Sequence, residues 1–223
     1  MRLVVGEVLV LALVVTLSPL NIIPAILLLF TKKPLASAFA FLVGFIVGVL
    51  VVLVSCVAIA DSIDLSPSTS ESTWVAILKI ALGVYLVVAA LRKFRGRPNA
   101  DEEGSMPKWM DGITGYTPGK ALGVGVVLGA ANPKNIVVGI AAAVTIASAG
   151  LSLAQQVGAC AVYVLVAILG VATPILAMAF LGDRAPEVLQ GWRSWLGHNS
   201  ATVMSVLFLV FGVVLIGQGI GGK

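Results

Sequence analysis

Apolar residues along this chain come in long uninterrupted blocks, with neither the strict alternation of a strand nor the one-sided stripe of a surface helix. Six blocks are almost free of charge, covering residues 3–30, 35–60, 74–91, 119–147, 153–181 and 200–220. A membrane-crossing helix needs about 20 mostly apolar residues to traverse about 30 Å of hydrocarbon, and all six blocks are of that order. None shows the period-two pattern that a membrane barrel requires. The pattern predicts an all-α integral membrane protein with six transmembrane helices.

Composition narrows this further. Of the residues, 59% are hydrophobic and 11% charged, against about 25% charged in an ordinary soluble domain. The six blocks hold 151 of the 223 residues, and only Glu7, Lys79, Lys120 and Lys134 carry charge within them. What remains is too short and too divided for a soluble domain. The formal net charge of +4 does not point to nucleic acid, because the basic residues sit in short loops between the blocks. There they act as topology signals.

Lys32, Lys33, Arg92, Lys93, Arg95, Arg97, Lys108, Lys120, Arg184 and Arg193 fall in or beside the first, third and fifth loops, whereas the opposite set of loops and termini carries only Arg2 and Lys223. By the positive-inside rule the odd loops are cytoplasmic and both termini extracytoplasmic, in the plasma (inner) membrane. The Lys32–Lys33 pair follows the first block, and no small-x-small cleavage site follows a short apolar core, so that block is expected to be a retained helix. Residues 1–94 then form a first three-helix repeat, 95–118 a cytoplasmic linker and 119–223 a second three-helix repeat. Within the second, Val188, Leu189, Trp192, Trp195 and Leu196 share one helical face. Residues 183–198 are therefore expected to be a short helix in the inner membrane interface, or a tryptophan-rich hinge between the last two spans.

Two blocks are interrupted in the same way. Ser18-Pro19-Leu20-Asn21-Ile22-Ile23 and Asn132-Pro133-Lys134-Asn135-Ile136-Val137 share the pattern polar-Pro-x-Asn-Ile-aliphatic. Both lie about 13 to 16 residues into their blocks, which at about 1.5 Å per residue is close to the bilayer midplane. Ser and Asn cap helix starts, Pro suits the first helical position, and the residue before Pro is driven out of the helical region. Each block is thus expected to break there, freeing carbonyls of one half-helix and aiming the positive N–H end of the next at the membrane centre. One such motif is an ordinary kink. Two copies, three spans apart and entering from opposite sides, match a 3+3 inverted repeat whose interrupted helices 1 and 4 form a midplane site. The candidate substrate-binding residues are Ser18, Pro19, Asn21, Asn132, Pro133, Lys134 and Asn135.

Lys134 sets the sign of the ligand. A lysine at that depth costs about 2.5–3.5 kcal/mol on insertion scales and faces the protein interior by default. No Asp or Glu lies near the midplane, so two helix N-termini and an ammonium favour an anion over a cation. Lys79 and Glu7 lie near block ends, from where Lys79 can snorkel outward. Cys56 and Cys160, the only cysteines, both fall toward the outer ends of their helices; a bond is conceivable there, and small residues packed in the bundle are the plainer reading. His198, the only histidine, has no neighbouring Cys or carboxylate to make a metal site. No catalytic residue, cofactor or metal is expected, so the chain is read as a non-enzyme.

The Ser18–Ala25 stretch, the Phe30-Thr31-Lys32-Lys33-Pro34 turn, Phe41-Leu42-Val43-Gly44-Phe45 and Asn132-Pro133-Lys134-Asn135 resemble the Sap/Gap family. These are the sulfolipid- and peptidoglycolipid-addressing proteins of mycolic-acid bacteria, a branch of the lysine exporter (LysE) superfamily. The resemblance covers nearly the whole chain and implies six spans and a role in moving envelope glycolipids. A thiol-redox branch of that superfamily uses cysteines in its first and fourth helices, where this chain has Ser18, Pro19, Asn132 and Pro133. The function expected is export or addressing of an anionic or amphiphilic envelope lipid through the two broken helices. The alternatives are efflux of a small molecule, an amino acid or ion, and a membrane-embedded assembly factor that transports nothing. The partners are a lipid or small-molecule substrate and membrane lipids, with a homodimer and envelope-lipid biosynthesis or export proteins left open.

Overall fold

The computed structural model describes residues 2–62, 73–96, 110 and 112–221. Most of the 95–118 linker and of the loop after residue 62 lies outside them. Among the described residues the structure is helical throughout. The helices are α1 (Arg2–Thr16), α2 (Pro19–Leu28), α3 (Pro34–Ser62), α4 (Thr73–Arg95), α5 (Pro118–Ala130), α6 (Pro133–Ala147), α7 (Leu153–Ala167), α8 (Leu169–Phe180) and α9 (Ala185–Gly221). Short 3₁₀ turns occupy Ile113–Gly115 and Gly182–Arg184.

The starts follow from local chemistry. Helices α2, α3, α5 and α6 each begin on a proline, whose missing N–H is one that the first turn leaves unpaired anyway. Thr117 caps α5 by accepting from the Lys120 N–H at 3.4 Å, and the Ser152 N–H donates to Gln155 Oε1 at 3.1 Å at the start of α7.

Three helices, α3, α4 and the last, are long and apolar enough to cross a membrane alone, and three bent pairs bring the count to six if each pair is one span. The pairs are α1–α2, bent by 53°, α5–α6, bent by 56°, and α7–α8, bent by 52°. The first two breaks fall at the Ser18-Pro19 and Asn132-Pro133 motifs, as the sequence predicts. The third does not follow from any polar-Pro motif. Pro174 inside α8 has no N–H to give to the Gly170 carbonyl, and Gly170 is jammed against the carbonyl of Thr16, where any Cβ would collide. Close docking on the first break therefore accompanies the bend in the fifth span.

A second correction concerns residues 183–198. They are no separate interfacial helix: from Ala185 they are the first turns of the 37-residue α9, which continues without interruption into the sixth span. Asn199 Nδ2 donates to the Trp195 carbonyl at 2.9 Å and Ser200 Oγ to the Gly197 carbonyl at 3.2 Å, so the polar residues at the supposed hinge bond back onto their own helix.

Helix α3 packs along α5 and α6, α4 along α9, α1 against α6 and α7, and α2 against α8 and α9. The closest approaches use glycine. A Cβ at Gly44 or Gly125 would strike the Leu122 or Phe41 carbonyl of the partner helix, and one at Gly129 would lie 2.7 Å from the Phe45 carbonyl. Helices α2 and α6 are the deeply enclosed ones, with Ile23, Ala25, Ile26 and Leu28 of α2 and Val138, Ala141, Ala142, Ala143 and Ile146 of α6 all buried. Val51, Val54, Val84, Leu165 and Val213 point outward and are exposed, as lipid-facing residues must be. Lys79 does not snorkel; it is buried. Cys56 and Cys160 are free thiols.

Candidate functional site

The two proline breaks solve the same problem in the same way. Ser18 and Asn132 both take extended backbone angles, with φ/ψ of −81°/114° and −72°/117°, which ends one half-helix and sets the cap of the next. Ending a helix inside the membrane strands carbonyls, and an asparagine one turn later recovers them. Asn21 Nδ2 donates to the Val15 carbonyl at 3.2 Å, six residues back. Asn135 Nδ2 donates to the Leu128 carbonyl at 2.9 Å and to the Gly129 carbonyl at 3.5 Å, the latter also six residues back. A freed carbonyl in hydrocarbon costs several kcal/mol, so these amides are what makes the breaks tolerable at that depth.

Lys134 joins the two motifs. Its Nζ donates to Asn135 Oδ1 at 2.7 Å and to the Val14 carbonyl at 3.5 Å, across 120 residues of sequence. Val14 and Val15 are the last turn of α1, so the ammonium meets the negative end of the first half-helix. Two of the three N–H donors of an ammonium therefore have protein acceptors. Asn21 and Asn135 do not bond to each other; they meet only through Lys134 and the end of α1. The amide nitrogens tie down backbone, and it is other polar atoms that stay unpaired. Ser18 Oγ, Asn21 Oδ1 and Asn132 Nδ2 are buried and have no partner among the described residues, although Asn132 Oδ1 accepts from the Lys134 N–H at 3.3 Å.

A cavity of about 450 Å³ reaches this junction. Pro19, Leu20, Asn132, Pro133 and Lys134 line one part, Arg92 and Lys93 from the last turn of α4 line another, and Ser200, Met204 and Phe208 of α9 close the side. The cavity runs from the loop end of α4 to the two breaks. Its lining includes three cationic side chains and no carboxylate among the described residues, a balance that admits an anion and repels a cation.

Sequence reasoning missed two things. Arg92 and Lys93 counted only as topology signals, and nothing in their spacing ties them to Lys134. Thr16 also escaped notice, yet its Oγ1 lies 2.6 Å from the Val166 carbonyl and donates its one proton there, with the Ala12 carbonyl at 3.0 Å as the competing acceptor. That bond fastens the first break to the third. Thr16 stands two residues before Ser18 in an otherwise apolar block, a signal that was present.

No curated protein and no solved structure matches the chain. A family model does, over residues 8–221, and its description is Sap, sulfolipid-1-addressing protein. That span contains both proline breaks, Lys134 and every wall of the cavity, and the chain belongs to the Sap, sulfolipid-1-addressing protein family.

Proposed function

We propose that this protein is a non-enzymatic carrier that takes an anionic amphiphile of the cell envelope from the cytoplasmic side of the plasma membrane and passes it outward. The observation that carries the proposal is Lys134, an ammonium only 5% exposed, held where two broken helices meet and opening on a cavity with Arg92 and Lys93 and no carboxylate. A lysine inside an apolar span and without a carboxylate beside it marks a functional site by default. The family description names a sulfolipid, which is an anionic amphiphile and has the chemistry such a cavity selects.

In this reading the two halves are inverted repeats, both termini are outside and the breaks form the site. The matching cap geometry at Ser18 and Asn132 supports the repeat, as do the six-residue returns of Asn21 and Asn135 to Val15 and Gly129. The test is the lipid composition of the outer envelope in cells with the gene, without it, and with Lys134→Met at matched expression. Loss of one anionic lipid class in both the deletion and the variant is the expected result. Delivery at the wild-type level by well-expressed Lys134→Met would sink the anion site and leave an assembly role as the better reading.

A further inference from the structure

A second space lies beside the cationic cavity. It is a groove of about 350 Å³ lined by Thr16, Leu17, Ile22, Gly170, Thr173, Pro174, Trp192, Trp195 and Leu196. Both of its hydroxyls are bonded to backbone. The single Thr16 hydroxyl proton is spent on the Val166 carbonyl, and Thr173 Oγ1 donates to the Leu169 carbonyl at 2.6 Å. With both hydroxyls satisfied by backbone, the threonines offer methyl groups and the groove offers hydrocarbon.

The two spaces share walls. On α2, Leu20 and Ile23 face the cavity while Ile22 faces the groove; on α9, Gly197, Ser200, Met204 and Phe208 face the cavity while Trp192, Trp195 and Leu196 face the groove. At about 100° per residue the two sets on α9 lie about 130° apart, so one helix divides a cationic chamber from an apolar one. The division is thin at Leu196–Gly197, successive residues on opposite sides, and a Cβ at Gly197 would meet nothing within 4 Å.

We propose that the groove between α2, α8 and the first half of α9 is the acyl-chain site of the same anionic lipid whose headgroup enters the Lys134 cavity. This inference rests on the carrier reading above. The charge of the adjoining cavity decides which lipid is held, and the groove keeps one of its chains in contact with Trp192 and Trp195 while the headgroup is desolvated.

The experiment uses these two indoles as reporters. In the full chain carrying Trp74→Phe and Trp109→Phe, Trp192 and Trp195 are the remaining tryptophans. The protein is reconstituted in phosphatidylcholine vesicles containing a small equal fraction of brominated-chain phosphatidylglycerol or brominated-chain phosphatidylcholine. The expected result is severalfold stronger quenching by the anionic lipid. That preference should be lost in Arg92→Gln/Lys93→Gln, whose substitutions lie at the exposed end of α4, and Thr173→Phe, which fills the groove, should weaken quenching by both lipids. Equal quenching by the two lipids, or a preference that survives Arg92→Gln/Lys93→Gln, overturns the inference. Equal quenching alongside lost delivery in Lys134→Met rejects the groove and keeps the carrier. A charge-dependent preference alongside normal delivery by Lys134→Met supports the groove and rejects the carrier.

Discussion

Asn135 serves two neighbours at once, and its replacement separates a structural task from a functional one. Its amide nitrogen holds the carbonyls of Leu128 and Gly129, and its oxygen holds the Lys134 ammonium. Asn135→Ala leaves all three buried groups short of a partner, at about 1–3 kcal/mol for such a loss, and is expected to lower the thermal unfolding temperature in detergent and export together. Lys134→Met instead removes a buried charge and leaves the Asn135 amide bonds to α5 in place, so it should unfold no earlier than wild type while losing export. If the two variants lose stability equally, the lysine is structural. Both residues were legible in the sequence because a polar side chain in the middle of an apolar block is conspicuous. Their partners were not, since backbone carbonyls carry no sequence signature. The bond from Lys134 to Val14 depends on how two distant helices cross, which no local pattern states.

At the level of helices, glycine separates the contacts that must be tight from those that need not be. Gly125 and Gly123 sit on the same helix, but a Cβ on Gly125 runs into the Phe41 carbonyl whereas one on Gly123 meets nothing within 4 Å. Gly125→Leu must push α3 away from α5 and is expected to cost about 1–3 kcal/mol or more, while Gly123→Leu should stay within about 0.5 kcal/mol. Thermal denaturation of the two variants in one detergent checks this; equal behaviour would mean that α3 and α5 do not meet through this face. Gly44 and Gly48, and Gly125 and Gly129, stand four residues apart in the sequence, a spacing that lets helices approach closely. The first two breaks were also readable, since a capping residue, a proline and an asparagine stand together at each. The third was only half legible: Pro174 inside an apolar block announces a kink, but the close contact of Gly170 with the Thr16 carbonyl has no local signature.

For the whole molecule, the carrier reading fixes an orientation that can be measured. In a chain with Cys56 and Cys160 replaced by alanine, a cysteine introduced at Leu3 should react with a membrane-impermeant maleimide in intact cells. One introduced in the 95–118 linker should react only after permeabilisation. Labelling of the linker from outside would reverse the topology, and with it the side from which the cavity fills. The six apolar blocks predicted the number of crossings the bent pairs allow, because span length is set by bilayer thickness and needs no tertiary information. The continuity of α9 was hidden, since Gly191, Gly197 and the tryptophans around Arg193 look locally like a place to stop.

That continuity has a mechanical consequence. At about 1.5 Å per residue the 37 residues of α9 make a rod of about 55 Å, against about 30 Å of hydrocarbon. The apolar part from residue 200 to 220 is long enough to fill the core, and the 15 residues before it, 185–199, add an arm of about 22 Å whose Ala185 and Leu189 are buried against the rest of the protein. Because arm and span share one axis, a 10° change in tilt, small beside the range that membrane helices show, sweeps the arm's tip through about 4 Å. Trp192 and Trp195 ride on one flank of that arm and Gly197 on another, so a tilt of α9 acts on both chambers at once. A helix that never breaks is, in this molecule, the part suited to act as a lever.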